Sequence, residues 1–243
     1  ENLLRFNNDS IAIISKSEDR ETRRISFREL NEFAGKLSFA LRETGVTKGD
    51  RVCAFMPNIP ETIIAMLATT SIGALWSSSS PDFGIGGVVD RFGQIAPKVL
   101  FAANGYYFKG KTVSSIEKIT EIVKQIPSIE KVVIVPFTEI SFDLSSIPNS
   151  VMLEDYLPKE NKEIIFEQLP FNHPVYIMYS SGTTGLPKCM VQGSGVLINH
   201  LKELILHTDL KQNDRIFYYT SCGWMMWNWL VSSLAVGATI GLF

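Results

Sequence analysis

The residues best equipped for chemistry stand together in Ser180-Ser-Gly-Thr-Thr-Gly-Leu-Pro-Lys188. Gly182 and Gly185 admit backbone conformations closed to other residues and let the main chain approach a ligand closely. Successive N–H groups in such a loop can turn into one concavity that holds an anion. Ser180, Ser181, Thr183 and Thr184 add rotatable hydroxyl donors, and Lys188 adds a point charge suited to phosphate. The pattern describes a cradle for a polyphosphate. It is not a Walker loop, because the spacing differs and Cys189, not serine or threonine, follows the lysine. A flexible serine–glycine linker would share this composition. The apolar run Pro174-Val-Tyr-Ile-Met-Tyr179 leading in, and the Pro187-Lys188 end, favour an ordered connection between strands.

Other side chains carry weaker signals. Gly223-Trp-Met-Met-Trp-Asn-Trp229 is an aromatic and methionine block at helical spacing, the composition of packed core. Asn228 is its polar member, able either to donate to a ligand oxygen or to be satisfied inside the core. The three cysteines, Cys53, Cys189 and Cys222, have neither metal-ligand spacing nor a disulfide framework. They read as reduced thiols, so a cytoplasmic protein is expected. His173, His200 and His207 lack a metal pattern too and read as surface or packing residues, so no metal ligand is expected in this stretch.

These residues need a scaffold, and the chain alternates short apolar runs with helical patterns. Ser26-Phe-Arg-Glu29 has capping-box spacing and opens an amphipathic helix to about Thr44, with Gly45 as its stop. Strands are expected at Arg51–Met56, Leu75–Ser80, Val99–Ala102, Val132–Val135 and Pro174–Tyr179. Helices are expected from Pro60 to about Ile72, over Gly84–Ile95 and Val113–Gln125, and from Ser194 to His207. Such alternation implies βαβ units and an α/β fold with parallel sheets. Residues 136–173, broken by prolines and polar segments, read as a surface excursion or a subdomain joint.

Composition narrows the function classes. The chain has 243 residues, room for one large domain or two small ones, with 45% hydrophobic and 20% charged residues. That balance belongs to a folded globular protein. A formal net charge of −2 gives no basic excess for a nucleic-acid partner. Thr62–Pro81 and Ile216–Phe243 lack charge and are long enough to cross a bilayer. Their internal polar residues and breaks instead mark buried strands and covering helices, so no membrane span is expected. Glu1 at the start and the strand-like Ala238–Phe243 at the end lead to the expectation of a longer polypeptide cut on both sides.

Tyr179–Lys188 resembles in full the signature phosphate loop of the acyl-adenylate-forming superfamily, which includes acyl-CoA synthetases, luciferases and peptide-synthetase adenylation domains. Trp76-Ser-Ser-Ser-Ser-Pro-Asp-Phe-Gly84, Asp90-Arg-Phe-Gly-Gln-Ile-Ala-Pro-Lys98, Pro187-Lys-Cys-Met-Val191 and Gly223–Trp229 look, within it, like the acetoacetate–CoA ligase family rather than its acetate- or propionate-using relatives. The resemblance extends across essentially the whole chain and is weakest near 136–165. It implies a luciferase-like fold of layered parallel sheets with helices, of which residues 1–243 form part of the large N-terminal domain. It implies ATP, Mg²⁺ and coenzyme A as reaction partners and acetoacetate as the acid. By this likeness Lys188 is catalytic, and the loop residues Ser180, Ser181, Gly182, Thr183, Thr184, Gly185 and Lys188 hold the β- and γ-phosphates. Trp224 and Asn228 border the acyl group, and Thr220 and Lys111 are candidates for coenzyme A. In acetyl-CoA synthetases an arginine-bearing segment meets the nucleotide end of coenzyme A. Here Tyr106-Tyr-Phe-Lys-Gly-Lys111 replaces the first arginine and sets a lysine for the second. The superfamily's later motifs and its small C-terminal domain lie outside these residues, so the chain alone is expected to be inactive. A synthetase for another short-chain acid and a non-catalytic nucleotide-binding module are the alternatives.

Overall fold

The structure is a computed structural model and describes residues 1–180 and 185–243. After a 3₁₀ turn at Asn2–Leu4, the chain forms the hairpin β1 (Ile11–Ser17) and β2 (Arg20–Ser26). Neither strand is among those expected, because the charged residues of Arg20-Glu-Thr-Arg-Arg24 hide the alternation of β2. Helix α1 (Phe27–Glu43) begins with the capping box in place. The Glu29 N–H donates to Ser26 Oγ at 3.2 Å, and the Ser26 N–H donates to Glu29 Oε2 at 2.7 Å. The helix stops before Gly45, whose φ of 80° suits a residue without a side chain. Then follow β3 (Arg51–Phe55), α2 (Pro60–Ser71), β4 (Leu75–Ser79), α3 (Ile85–Phe92) and β5 (Val99–Ala103), all close to their expected bounds.

The next stretch corrects an expectation. Val113 does not begin a helix. It belongs to a hairpin of β6 (Gly105–Phe108) and β7 (Lys111–Ser114), where it faces Tyr106, and α4 (Ile116–Gln125) starts after it. Lys109 and Gly110 both take positive φ and make the two-residue turn that reverses the chain. After β8 (Lys131–Val135), the excursion is more ordered than its composition suggests. It supplies β9 (Ser150–Met152) and a helical turn, α5 (Leu153–Tyr156). Its later part lies along α1. The Arg42 guanidinium donates to the Ile165 carbonyl at 3.0 Å, and a Cβ on Gly35 would overlap the carbonyl oxygen of Lys162. Next come β10 (Pro174–Ser180), β11 (Lys188–Gly193), α6 (Gly195–Lys202) with a π turn to His207, and β12 (Arg215–Phe217). The chain closes with α7 (Met225–Ser232), a 3₁₀ turn and β13 (Thr239–Leu242).

Two sheets organise these elements. One has seven strands in the order β11-β10-β4-β3-β5-β8-β9, parallel throughout except for the β10–β11 pair. The other has four strands in the order β12-β13-β1-β2, in which β13 runs parallel to both of its neighbours. The central strands of the larger sheet, β3, β5 and β8, are apolar on both faces. Val52, Ala54, Phe101 and Val133 pack with α1 and α2, while Phe55, Leu100, Ala102 and Ile134 pack with α3 and α4. The Val, Leu, Ile and Phe side chains among them each contribute roughly 1.5–3 kcal/mol when fully buried. The uncharged run Thr62–Pro81 is explained by this layering, since α2 and β4 are buried within it. Among the described residues, no helix is long and apolar enough to cross a membrane.

His200 on α6 is buried, and its Nδ1 lies 2.9 Å from Ser232 Oγ at the end of α7. The Ser232 hydroxyl proton goes to the Asn228 carbonyl at 2.8 Å, so the serine oxygen accepts from His200 Nδ1–H. Burial holds this imidazole below its ordinary pKa. The unfolded chain therefore takes up a proton that the folded chain refuses, and stability falls as pH drops below about 6.5. Urea unfolding at pH 7.5 and 5.5 checks this. The loss of stability at the lower pH is expected to shrink in His200→Gln, which keeps an amide donor but does not titrate. Gly35→Ala is expected to cost about 1–3 kcal/mol by forcing the excursion off α1. Denaturant midpoints and proteolysis near Lys162 measure the effect.

Candidate functional site

In a parallel sheet all carboxyl ends point one way, and ligands gather there because the connecting loops can diverge and leave a crevice. The parallel strands of both sheets follow this rule here, and one cleft of ≈550 Å³ opens where their carboxyl ends meet. From the larger sheet come Pro57 and Asn58 after β3, Ser80 to Asp82 after β4, and the β6 residues Tyr106 to Phe108 that follow β5. From the smaller sheet come Lys16 to Glu18 at the end of β1, Tyr218 to Ser221 after β12, and Phe243 after β13. The walls are thus rich in aromatic side chains, with a few charges at the rim. The Glu18 carboxylate ties two turns of that rim together, accepting from the N–H groups of Lys109 at 3.0 Å and Gly110 at 2.6 Å.

The phosphate-loop candidate leaves β10 at the same edge. Tyr176 of β10 is registered against Trp76 of β4, and the two strands run parallel. Following both strands forward sets Ser180 level with Ser80, which lines the cleft. Across the hairpin, Ser180 pairs with Lys188, the first residue of β11. Lys188 is exposed, and Gly185 takes φ of 99°, a conformation that favours glycine. Ser181, Gly182, Thr183 and Thr184 lie outside the described residues. The seam behind the loop is tight. The Ser77 hydroxyl donates to the Ile177 carbonyl at 2.8 Å and lies 3.2 Å from the Tyr179 hydroxyl. Burial pushes the Tyr179 phenol far above its usual range, so it stays neutral and structural.

The remaining candidates separate into two environments. Thr220 and Trp224 both line the cleft, Trp224 being 66% exposed at the N-cap of α7. Asn228 lies one turn further along α7 and faces the interior. It is 5% exposed, and its Nδ2 meets Met178 Sδ at 3.4 Å. Its Oδ1 is buried with no hydrogen-bond partner among the described residues. The small void it borders, between β4, β10 and α7, measures ≈10 Å³, about the least that holds one water. Trp224 and Asn228 therefore do not share one pocket. Lys111 stands exposed at the start of β7, on the strand of its hairpin next to the cleft-lining β6.

Asn58 is a residue that sequence reasoning passed over. It reads as part of a strand-breaking Pro57-Asn58 pair, and nothing local marks it further. In the fold its Oδ1 accepts from Trp227 Nε1 at 2.8 Å, and its Nδ2 reaches the Thr220 and Phe243 carbonyls at 3.4 and 3.5 Å. Ser78 adds a bond from its hydroxyl to the Cys222 carbonyl at 2.6 Å. These bonds fasten the aromatic block across the ends of β3 and β4. Cys53 and Cys222 are buried, and burial raises their thiol pKa values, that of Cys222 to about 12. Among the described residues, no group of three or more His, Cys, Asp or Glu side chains converges as a metal site would require.

Residues 2–243 match the family model described as AMP-binding enzyme. The chain is 49% identical over 252 residues to acetoacetyl-CoA synthetase of Gallus gallus, covering 100% of this chain and 38% of that protein. It is 48% identical over 246 residues to acetoacetyl-coenzyme A synthetase of Rhizobium meliloti (strain 1021), with the same coverage of 100% and 38%. The structure superposes on acetoacetyl-CoA synthetase from Streptomyces lividans with a TM-score of 0.93 and 41% identity, over 99% of this chain and 37% of that one. The chain thus spans about 38% of the length of the curated relatives it matches. The layered parallel sheets, the glycine-marked loop at their carboxyl ends and the match over residues 2–243 agree, and the chain belongs to the AMP-binding enzyme family.

Proposed function

We propose that these residues are the N-terminal part of an adenylating domain, and that the full-length protein is an acid–thiol ligase joining acetoacetate to coenzyme A. The observation that carries the reading is the register that sets Ser180, paired with Lys188, level with the cleft-lining Ser80 at the carboxyl edge of the larger sheet. A carboxylate oxygen of acetoacetate attacks the α-phosphorus of ATP, and pyrophosphate leaves with the bonding pair. The thiol of coenzyme A, losing its proton, then attacks the acyl carbon and releases AMP. Negative charge grows on the departing pyrophosphate. Lys188 and the loop's hydroxyl and N–H donors would meet it there, and fixed donors at developing charge contribute most to catalysis. Mg²⁺ would arrive on the nucleotide's phosphates, where it needs only one or two protein oxygens and keeps several waters.

The cleft suits the rest of the ligand set. Its aromatic walls match a long thiol-bearing arm, with Thr220 and Trp224 at its side and Lys111 near its outer end for the nucleotide phosphates. Trp224, open to the cleft, would bound the acyl group, and Asn228 would support that wall from behind. A cytosolic setting, in which the three cysteines stay reduced, accompanies this reading.

Acid-dependent ATP–pyrophosphate exchange by the full-length protein tests the proposal, with acetoacetate, acetate, propionate and 3-hydroxybutyrate offered in parallel. Exchange is expected to be strongest with acetoacetate and to fall about 100-fold in Lys188→Ala, the effect of removing one preorganised donor. Preference for another acid would keep the ligase and discard acetoacetate. No exchange with any acid from the folded protein would leave a nucleotide-binding module. The 243-residue chain alone is expected to release no AMP.

A further inference from the structure

Lys188 begins β11, an edge strand whose ladder partner is β10. Met190 and Val191 of that strand are exposed, so core packing does little to fix it. Lys188 is itself exposed, so where its ammonium can reach depends on how this strand is held. One side chain outside the hairpin contacts both of its sequence neighbours. Gln94, in the turn after α3, donates from Nε2 to the Pro187 carbonyl at 2.8 Å, and its Oε1 accepts from Cys189 Sγ–H at 3.6 Å. The same Nε2 donates to the Asp90 carbonyl at 2.6 Å, which anchors the amide to its own helix. Both protons of the amide and its oxygen are therefore engaged. The outgoing arm meets the same helix: the Arg91 guanidinium lies over the Tyr179 ring at 5.8 Å and over Phe83 at 4.8 Å. The Arg91 Nη1 also donates to the Gly87 carbonyl at 2.6 Å, which holds it in place.

We infer that Gln94 is a positioning residue for Lys188: its amide clamps Pro187 and Cys189 and so fixes where the lysine's ammonium can reach. This rests on the proposed role of the loop in holding phosphates. The amide suits the task because it offers a donor to a carbonyl and an acceptor to a thiol at once. A carboxylate in its place would face the Asp90 and Pro187 carbonyls without a proton to give. An apolar side chain of similar length would make neither bond.

The test uses Gln94→Leu in the full-length protein, alone and combined with Lys188→Ala. Hydrogen–deuterium exchange gives the structural readout. Amides of residues 185, 186 and 188–190 are expected to exchange faster in Gln94→Leu, while those of β4 and β5 are unchanged. Unchanged protection at 185, 186 and 188–190 would overturn the clamp whatever the enzyme does. ATP–pyrophosphate exchange gives the functional readout. A fall of about tenfold in kcat, the size of one or two lost hydrogen bonds, is expected with a smaller change in the KM for ATP. In the Lys188→Ala background the same substitution is expected to change little, because the residue through which it acts is gone. An equal tenfold fall in that background would show a general structural role and overturn the inference. If the parent protein shows no pyrophosphate exchange, the proposed function fails, and the hydrogen-exchange result still decides the clamp.

Discussion

The seam between β4 and β10 holds the candidate site together. These neighbouring parallel strands bring the hairpin that carries the phosphate-loop candidate against the strand of consecutive serines. Ser77 reinforces the junction from β4 by bonding to the Ile177 carbonyl of β10, and α7 closes over it through Asn228 and Met178. Small side chains on β4 make this possible. A Cβ added to Gly223 would come into van der Waals contact with the backbone of Ser78, Ser79 and Ser80, and Ser78 bonds to the Cys222 carbonyl. Bulkier residues at 77–80 would lift the aromatic block away from the sheet and open the cleft wall.

The seam also concentrates polar groups where water is scarce. Ser79 Oγ and Asn228 Oδ1 are buried without partners among the described residues, although each unsatisfied group costs roughly 1–3 kcal/mol. They lie beside the carboxyl ends of β4 and β10, next to the proposed site. The central strands β3, β5 and β8 are lined by aliphatic and aromatic side chains on both faces. The central strands thus supply much of the packed core, while the candidate site sits at the end of the sheet. That division lets loops vary without disturbing the core.

Long-range polar bonds then position the parts that packing leaves free. Asn58 links the end of β3 to Trp227 and to the Thr220 and Phe243 carbonyls, joining the two sheets across the cleft. Glu18 joins the β1–β2 turn to the β6–β7 turn. Gln94 reaches the return arm of the loop. Each is a single side chain bridging elements far apart in the chain.

Much was legible in the order of residues alone. The capping box at Ser26 and Glu29, the helix from Pro60, the strands at Arg51, Leu75, Val99 and Val132, and the family signature at Tyr179–Lys188 are all local patterns. Spacing and composition specify them because their physics acts within a few residues. The hairpin at 105–114 escaped this reading, since a Lys109-Gly110 turn among aromatic residues carries little of the usual turn signal. Tertiary structure alone decided the rest. It set β13 between β1 and β12, gave Trp224 to the cleft and Asn228 to the interior from neighbouring turns of one helix, and brought Asn58 and Gln94 to their distant partners. No local pattern encodes these outcomes, because which face a helix buries and which carbonyl an amide meets depend on segments that come together only when the sheets close.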